Sequence, residues 1–360
     1  LLRRLIAAGV DLNLKYAGLT PLLVTVRDSY HGRPDAVLML LTNGADPRPA
    51  DNEGQTALHA AARAEDPAIA ALLLDAGAPL EALDAHGVSP LGVAASMGNL
   101  DVAKYLIDRR AVLEPKGGEP ALLMAASRDD DDVSMLKLML RHKAKLDALG
   151  KLGRTALHAA CLRGNTKITR HLIDAGAHPD IPDVHDVTPL MEAARAGAAE
   201  CVHALTLARV NANQRDNFGR NALVIACQSA TSNLETVKAL LAAKVDPHQA
   251  ADDGRRAIDH AVAAGRWVHV ALLDPGYVLP ACLRENDDEL QDAPPLVRLR
   301  LALDREAFST ARSLLPLAIT SREELATFYL DLAPRLGRGA ANVLASGLYG
   351  NVLDTDGVPL

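Results

Sequence analysis

The chain of 360 residues carries 38 Lys and Arg against 45 Asp and Glu, a net charge of −7. That balance argues against a general nucleic-acid binder, whose footprint is a basic surface. Almost half of the residues are hydrophobic (49%) but only 3% are aromatic. A core would therefore be assembled from Ala and Leu at close helix–helix contacts, and no apolar stretch approaches the roughly 18 residues that make a membrane span.

The chain opens Leu1-Leu2-Arg3-Arg4-Leu5-Ile6-Ala7-Ala8-Gly9, which matches Leu72-Leu73-Leu74-Asp75-Ala76-Gly77 further on. Residues 1–14 are thus expected to be the second half of a repeated unit. The chain is expected to be a fragment lacking its native N-terminus, and no targeting signal can be read from such a start. A first motif follows at Gly18-Leu19-Thr20-Pro21-Leu22, and its fullest copy is Gly54-Gln55-Thr56-Ala57-Leu58-His59-Ala60-Ala61. Further copies are Gly87-Val88-Ser89-Pro90-Leu91, Gly153-Arg154-Thr155-Ala156-Leu157-His158 and Asp186-Val187-Thr188-Pro189-Leu190, with weaker ones from Gly118, Gly219 and Gly254. The residue in the Thr slot is 20, 56, 89, 120, 155, 188, 221 and 256, giving steps of 36, 33, 31, 35, 33, 33 and 35.

One unit, residues 51–83, predicts its own structure. Asp51-Asn52-Glu53-Gly54 is a turn, because Asp bonds nearby backbone donors and Gly accepts a left-handed backbone. Thr56 caps an inner helix from Ala57 to about Ala64. An outer helix runs from Pro67, suited to a first turn, to Ala76, and Gly77 ends it with a left-handed cap. Extra residues are expected between the helices at 29–34, 128–132 and 228–233, and Arg110, Lys143, Arg209 and Lys244 replace the capping Gly.

The pattern stops after Gly276. Residues 277–295 form a Pro-, Asp- and Glu-rich connection, and helices are expected at 296–315, 321–332 and 338–348, as diverged repeats or a helical cap. The last residues, Asp354-Thr355-Asp356-Gly357-Val358-Pro359-Leu360, read as the opening of another unit.

A period near 33 carrying G-x-T-P-L-H-x-A-A resembles the ankyrin repeat. The resemblance covers residues 1–276, a partial unit and then about eight repeats. It implies an all-α ankyrin-repeat solenoid of stacked helix-turn-helix units with β-turn fingers, followed at 277–360 by an irregular helical segment. In such an array each unit leaves an apolar face that only its neighbour closes. The resemblance also implies that His59 and His158 bond backbone near the finger turn and are not catalytic. Cys161 and Cys227 fill small slots two repeats apart, too distant to bridge. Asp129 to Asp132 lack the alternating ligands, Gly and closing Glu of a calcium loop, and read as a solvated turn. No metal, cofactor or catalytic constellation is expected.

Ankyrin domains bind with finger tips and exposed inner-helix positions on the concave side. Carried onto this sequence, those slots are Asn52, Glu53 and Gln55; Ala85, His86 and Val88; Lys151, Leu152 and Arg154; Val184 and His185; and Asn217, Phe218 and Arg220. Seven or eight residues past the Thr slot Arg recurs, at Arg27, Arg63, Arg128, Arg163 and Arg195, and Arg154, Arg220 and Arg255 follow the finger turn. The stripe suggests a groove for an acidic protein segment, with bidentate Arg contacts and Phe218 as an aromatic anchor. The same cations also complement helix C-terminal dipoles, and Trp267 is expected to pack at the array's end. The expected function is a non-catalytic, cytoplasmic protein-interaction scaffold. The alternative is the targeting or recruiting arm of a larger enzyme or of a translocated bacterial effector, since the Ala- and Arg-rich composition suits a high-GC bacterium. Residues 277–350 as a separate helical module with its own partner are a third reading.

Overall fold

The computed structural model describes residues 2–27 and 34–274, together with Leu299, Ala302, Leu303, Leu314 and Leu315. Among the described residues the regular elements are helices, with three isolated backbone bridges such as Ala50 to Thr56 at finger bases. Helix α1 (Leu2–Ala7) precedes eight helix pairs. The inner helices are α2 (Pro21–Arg27), α4 (Ala57–Ala61), α6 (Pro90–Met97), α8 (Ala121–Ala126), α10 (Ala156–Arg163), α12 (Pro189–Ala196), α14 (Ala222–Gln228) and α16 (Ala257–Ala263). The outer helices are α3 (Pro34–Thr42), α5 (Ala68–Asp75), α7 (Leu100–Asp108), α9 (Ser134–Arg141), α11 (Thr166–Asp174), α13 (Ala199–Leu207), α15 (Leu234–Ala242) and α17 (Trp267–Leu273).

The Thr slot starts the inner helices, and at four of them by the expected chemistry. The residue is extended, as at Thr56 (φ −88°, ψ 170°). At Thr20, Ser89, Thr188 and Asn221 its side chain accepts from an orphan N–H of the first turn, whereas Pro120 offers no side-chain acceptor. Thr20 Oγ1 accepts from Leu23 N–H (3.2 Å), Ser89 Oγ from Gly92 N–H (3.1 Å) and Asn221 Oδ1 from Val224 N–H (3.0 Å). Arg256 has no acceptor to offer in this slot, and Asp259 Oδ2 accepts the Arg256 backbone N–H instead (2.8 Å). Helix α4 is shorter than the sequence suggests and ends at Ala61, while Pro67 sits one position outside α5 as its N-cap residue.

Inner helices stack on inner helices in chain order. Ala94, Ala95, Ala125, Ala126, Ala160 and Ala193 are completely buried, so the backbones approach closely. The outer layer keeps a stricter register. Leu40, Leu73, Leu106, Met139, Leu172 and Leu205 lie 33 residues apart and all are fully buried. Each such side chain stabilises the stack by about 1.5–3 kcal/mol. The uneven Thr-slot steps therefore arise in the connections, where added residues reach solvent without disturbing the core.

A polar ladder joins successive repeats behind the helices. Asn13 Oδ1 accepts from Asp46 N–H, Glu81 Oε1 from Val112 N–H, Glu114 Oε1 from Lys145 N–H and Asp147 Oδ1 from His178 N–H, all at 2.7–2.9 Å. Asp180 and Asn213 continue it to Asn211 and Asp246. Gly77 has φ +89°, as its cap requires, and the replacements Arg110, Lys143, Arg209 and Lys244 are held at φ +60° to +69°. Those four carry the left-handed strain that Gly would avoid.

Contacts divide the chain into two compact units, Leu1–Leu273 and Asp274–Leu360. In the second unit Leu299, Ala302, Leu303, Leu314 and Leu315 are helical and buried. The rest of the expected helices at 296–348, the closing unit at 354–360, the Trp267 side chain and most of the expected insertion at 29–34 lie outside the described residues.

Candidate partner-binding surface

Four of the fingers are each held by one Asp. Asp51 Oδ1 accepts from Glu53 and Gln55 N–H, Asp84 Oδ1 from His86 and Val88, Asp183 Oδ1 from His185 and Val187, and Asp216 Oδ1 from Phe218 and Arg220. Gly54 closes its turn at φ +77°, where a Cβ would lie 3.0 Å from the Ala85 nitrogen. The tips then bond in series. Ala85 N–H donates to Glu53 O (2.8 Å), Val184 to Leu152 (3.0 Å), Asn217 to His185 (3.1 Å) and Asp252 to Phe218 (3.0 Å). Glu119 bridges the intervening finger, its N–H donating to Gly87 O (2.7 Å) and its Oε1 accepting from Lys151 N–H (3.2 Å), so Asn52, Glu53, His86, Lys151, His185, Asn217 and Phe218 follow one edge. Leu152 (50% exposed), Val184 (60%) and Phe218 (60%) stand out from it.

The arginine stripe is real in position but largely neutralised. Arg154 Nε donates to Asp183 Oδ2 (3.2 Å) and its Nη2 lies 3.0 Å from Glu192 Oε1, with both carboxylates fully buried. Arg195 Nε lies 3.6 Å from Glu192 Oε2. Arg163 pairs with Asp129 (3.0 Å), Arg128 with Asp130, and Arg220 with Asp216 (2.6 Å). Arg63 is exposed on the same side, without an ion-pair partner among the described residues. Arg154, Arg195 and Arg220 are thus oriented guanidinium groups over buried acids, whereas Arg163 and Arg128 pair with exposed ones. Desolvation raises the carboxyl of Glu192 even with two guanidinium groups beside it.

His59 and His158 have structural partners on both ring nitrogens. His59 Nδ1 lies 3.1 Å from Thr56 N–H, which can only donate, so Nε2 carries the hydrogen and donates to Val88 O (3.0 Å). His158 repeats the arrangement with Thr155 and Val187. Burial holds both rings below the usual imidazole range, His158 at about 4. Each ring ties its helix to the next finger.

The four aspartates at 129–132 have separate tasks. Asp129 and Asp130 take Arg163 and Arg128. Asp131 accepts the N–H groups of Lys167 and Ile168 (both 3.0 Å), capping α11 of the following repeat, and Asp132 caps α9 through Ser134 N–H (3.1 Å). Among the described residues no His, Cys, Asp and Glu group could hold a metal ion, and no helix is long and apolar enough to cross a membrane. Cys161, Cys201 and Cys227 are buried free thiols. Burial pushes the Cys161 thiol up.

The family described as ankyrin repeats (3 copies) matches residues 27–117, 122–214 and 190–279. The chain belongs to the ankyrin repeat family. The E3 ubiquitin-protein ligase KEG of Arabidopsis thaliana is 31% identical over 265 residues, covering 68% of this chain and 16% of that protein. A mouse B-cell lymphoma 3 protein homolog is 34% identical over 44% of this chain and 37% of its own length. The crystal structure of the human ASB11 ankyrin repeat domain superposes with a TM-score of 0.54 at 25% identity, covering 62% of this chain and 98% of that domain. The chain spans well under half the length of these curated relatives.

On this ankyrin array the slots chosen from sequence fall on one edge and one helix face. The sequence reading missed the acids beneath them, Asp183, Glu192 and Asp216. It also missed Gln228, whose carboxamide accepts from Arg220 Nη1 (3.0 Å) and whose Nε2 lies 3.1 Å from His260 Nε2. Asp183 and Asp216 occupy the finger-turn slot of Asp51 and were legible as turn residues. Their second role as counter-ions depends on which side chains fold over them.

Proposed function

We propose that this ankyrin array is a non-catalytic protein-interaction scaffold that takes a partner protein across its finger edge and the adjoining inner-helix face. The observation that carries the reading is the exposure of Leu152, Val184 and Phe218 on a hydrogen-bonded, preorganised finger ladder. Apolar side chains held rigidly at a surface edge are the usual anchors of an interface. The described cysteines, Cys161, Cys201 and Cys227, are buried and unpaired, which suits a reducing compartment such as the cytoplasm. The test is affinity purification of the full-length protein against a Leu152→Asp/Val184→Asp variant of unchanged melting temperature. Specific partners should disappear from the variant, and an unchanged partner set would sink the reading.

An acidic partner segment is the finer proposal for the inner-helix face. It is supported by Arg195, whose Nη1 and Nη2 have no acceptor among the described residues, and by exposed Arg63 and Lys151. Arg163→Glu/Arg195→Glu should weaken the partner at least tenfold, because it reverses two charges at the contact. A recruiting arm of a larger enzyme, or of a translocated effector, is the second reading. It is favoured by the small shares matched in the ubiquitin ligase (16%) and in a Drosophila melanogaster tyrosine-protein kinase (18%).

A further inference from the structure

A cleft of about 260 Å3 opens between the fingers at 216–219 and 251–254. Phe218, Arg220, Gln228, Ala251, Asp252 and Asp253 line it. The volume falls below the roughly 300–1,000 Å3 of small-molecule sites and suits one inserted side chain. A relay of polar contacts stiffens one wall. Buried Asp216 accepts from Arg220 Nε (2.8 Å), Arg220 Nη1 donates to Gln228, and Gln228 reaches His260. The Arg220 guanidinium then sits 4.9 Å from the centroid of the Phe218 ring, so the ring is held in place while 60% exposed.

Charge decides what the cleft accepts. Arg220 is already answered by Asp216 and has no bare charge to offer an acid. Asp252 is matched only by Arg215 in an exposed pair at 3.0 Å. Asp253 accepts the backbone N–H of Arg255 and has no ion-pair partner among the described residues. The charged residues that line the cleft are Arg220, Asp252 and Asp253, two negative charges to one positive, and the positive one is already paired with Asp216. A carboxylate entering there would meet two carboxylates, and an apolar chain would leave Asp253 facing it.

The geometry points to a single Lys or Arg side chain of the partner protein as the occupant, its methylene stem against Phe218 and its cation at Asp252 and Asp253. This deepens the scaffold reading and rests on it. It also gives the partner a direction, with acid over repeats carrying Arg63, Lys151 and Arg195 and a base at the Phe218 finger.

The probes are four capped tripeptides, Gly-X-Gly with X as Lys, Arg, Leu or Glu, titrated into the full chain while the NMR signals of the Phe218 ring and the Gln228 carboxamide are followed. The Lys and Arg peptides should give saturable shifts that weaken with salt, and Asp252→Asn/Asp253→Asn should reduce their affinity about three- to fivefold or more. Equal shifts with the Leu or Glu peptide, no shift with any peptide, or no effect of the Asn substitutions would overturn the proposal. Loss of partner binding in Leu152→Asp/Val184→Asp alongside a null result here would leave the scaffold reading standing and remove only the basic-residue pocket. An unchanged melting temperature in the Asn variant excludes misfolding as the cause of lost binding.

Discussion

His158 shows how a residue that looks catalytic becomes a pH liability. The folded array keeps it neutral with a pKa of about 4, because the ring is buried between Thr155 and Val187. The unfolded chain binds a proton near 6.5. As pH falls below 6.5 the unfolded state gains protons first, so stability is complete above that value and declines until about pH 4. The loss at His158 is about 3 kcal/mol, and His59 acts in the same direction. Denaturant midpoints measured between pH 7 and pH 4 should fall accordingly, and His158→Gln should flatten the slope.

Glu192 makes a second residue-scale case. Its carboxylate is fully buried and rests on Arg154 and Arg195. Arg154→Ala strands that charge together with Asp183 and should cost about 3 kcal/mol. Adding Glu192→Gln should recover part of the loss, a coupling that a double-mutant cycle measures directly. The Arg positions were legible because they recur at fixed offsets from the Thr slot. The acids under Arg154 were not legible as its partners, since Asp183 lies 29 residues away and only the stacked fold joins them.

At the scale of elements, connections decide what helices cannot. The run Asp129 to Asp132 looks uniform in sequence, yet only Asp131 reaches two N–H groups at the start of α11, in the following repeat. Asp131→Ala should lower stability by about 1 kcal/mol, the usual worth of a helix cap. Asp129→Ala removes only an exposed pair with Arg163 and should change it by a few tenths. Thermal melts of the two variants side by side separate these outcomes. Equal losses would show that charge, and not capping, is what the turn supplies.

At the scale of the molecule, the first unit is a chain of neighbours. Each 33-residue step presents a Leu or Met to the next layer, and among the described residues the main helix contacts lie within a repeat or between adjacent repeats. Leu106→Ala should cost about 2–4 kcal/mol. Hydrogen exchange should accelerate in α6, α7 and the adjoining pairs and leave α12 to α15 protected, as nearest-neighbour coupling requires. Acceleration spread evenly from α2 to α16 would contradict that picture.

The sequence by itself determined the repeat, its fold, the caps and the left-handed positions, because these depend on residues within one turn of each other or on a period that sequence displays. Of the slots chosen from sequence, Asn52, Glu53, His86, Lys151, His185, Asn217 and Phe218 are exposed, while Arg154 and Arg220 fold over acids. Tertiary structure alone decided which charges are spent internally and where a cleft opens. The pairs of Arg154 with Asp183 and Glu192, and the cleft between two fingers, join residues about one repeat apart, and their geometry is set by how each finger stacks on the next. The recurrent arginines were visible from the start; that Arg154, Arg195 and Arg220 rest on buried acids, while Asp253 beside Phe218 has no ion-pair partner among the described residues, became apparent only once the repeats were stacked.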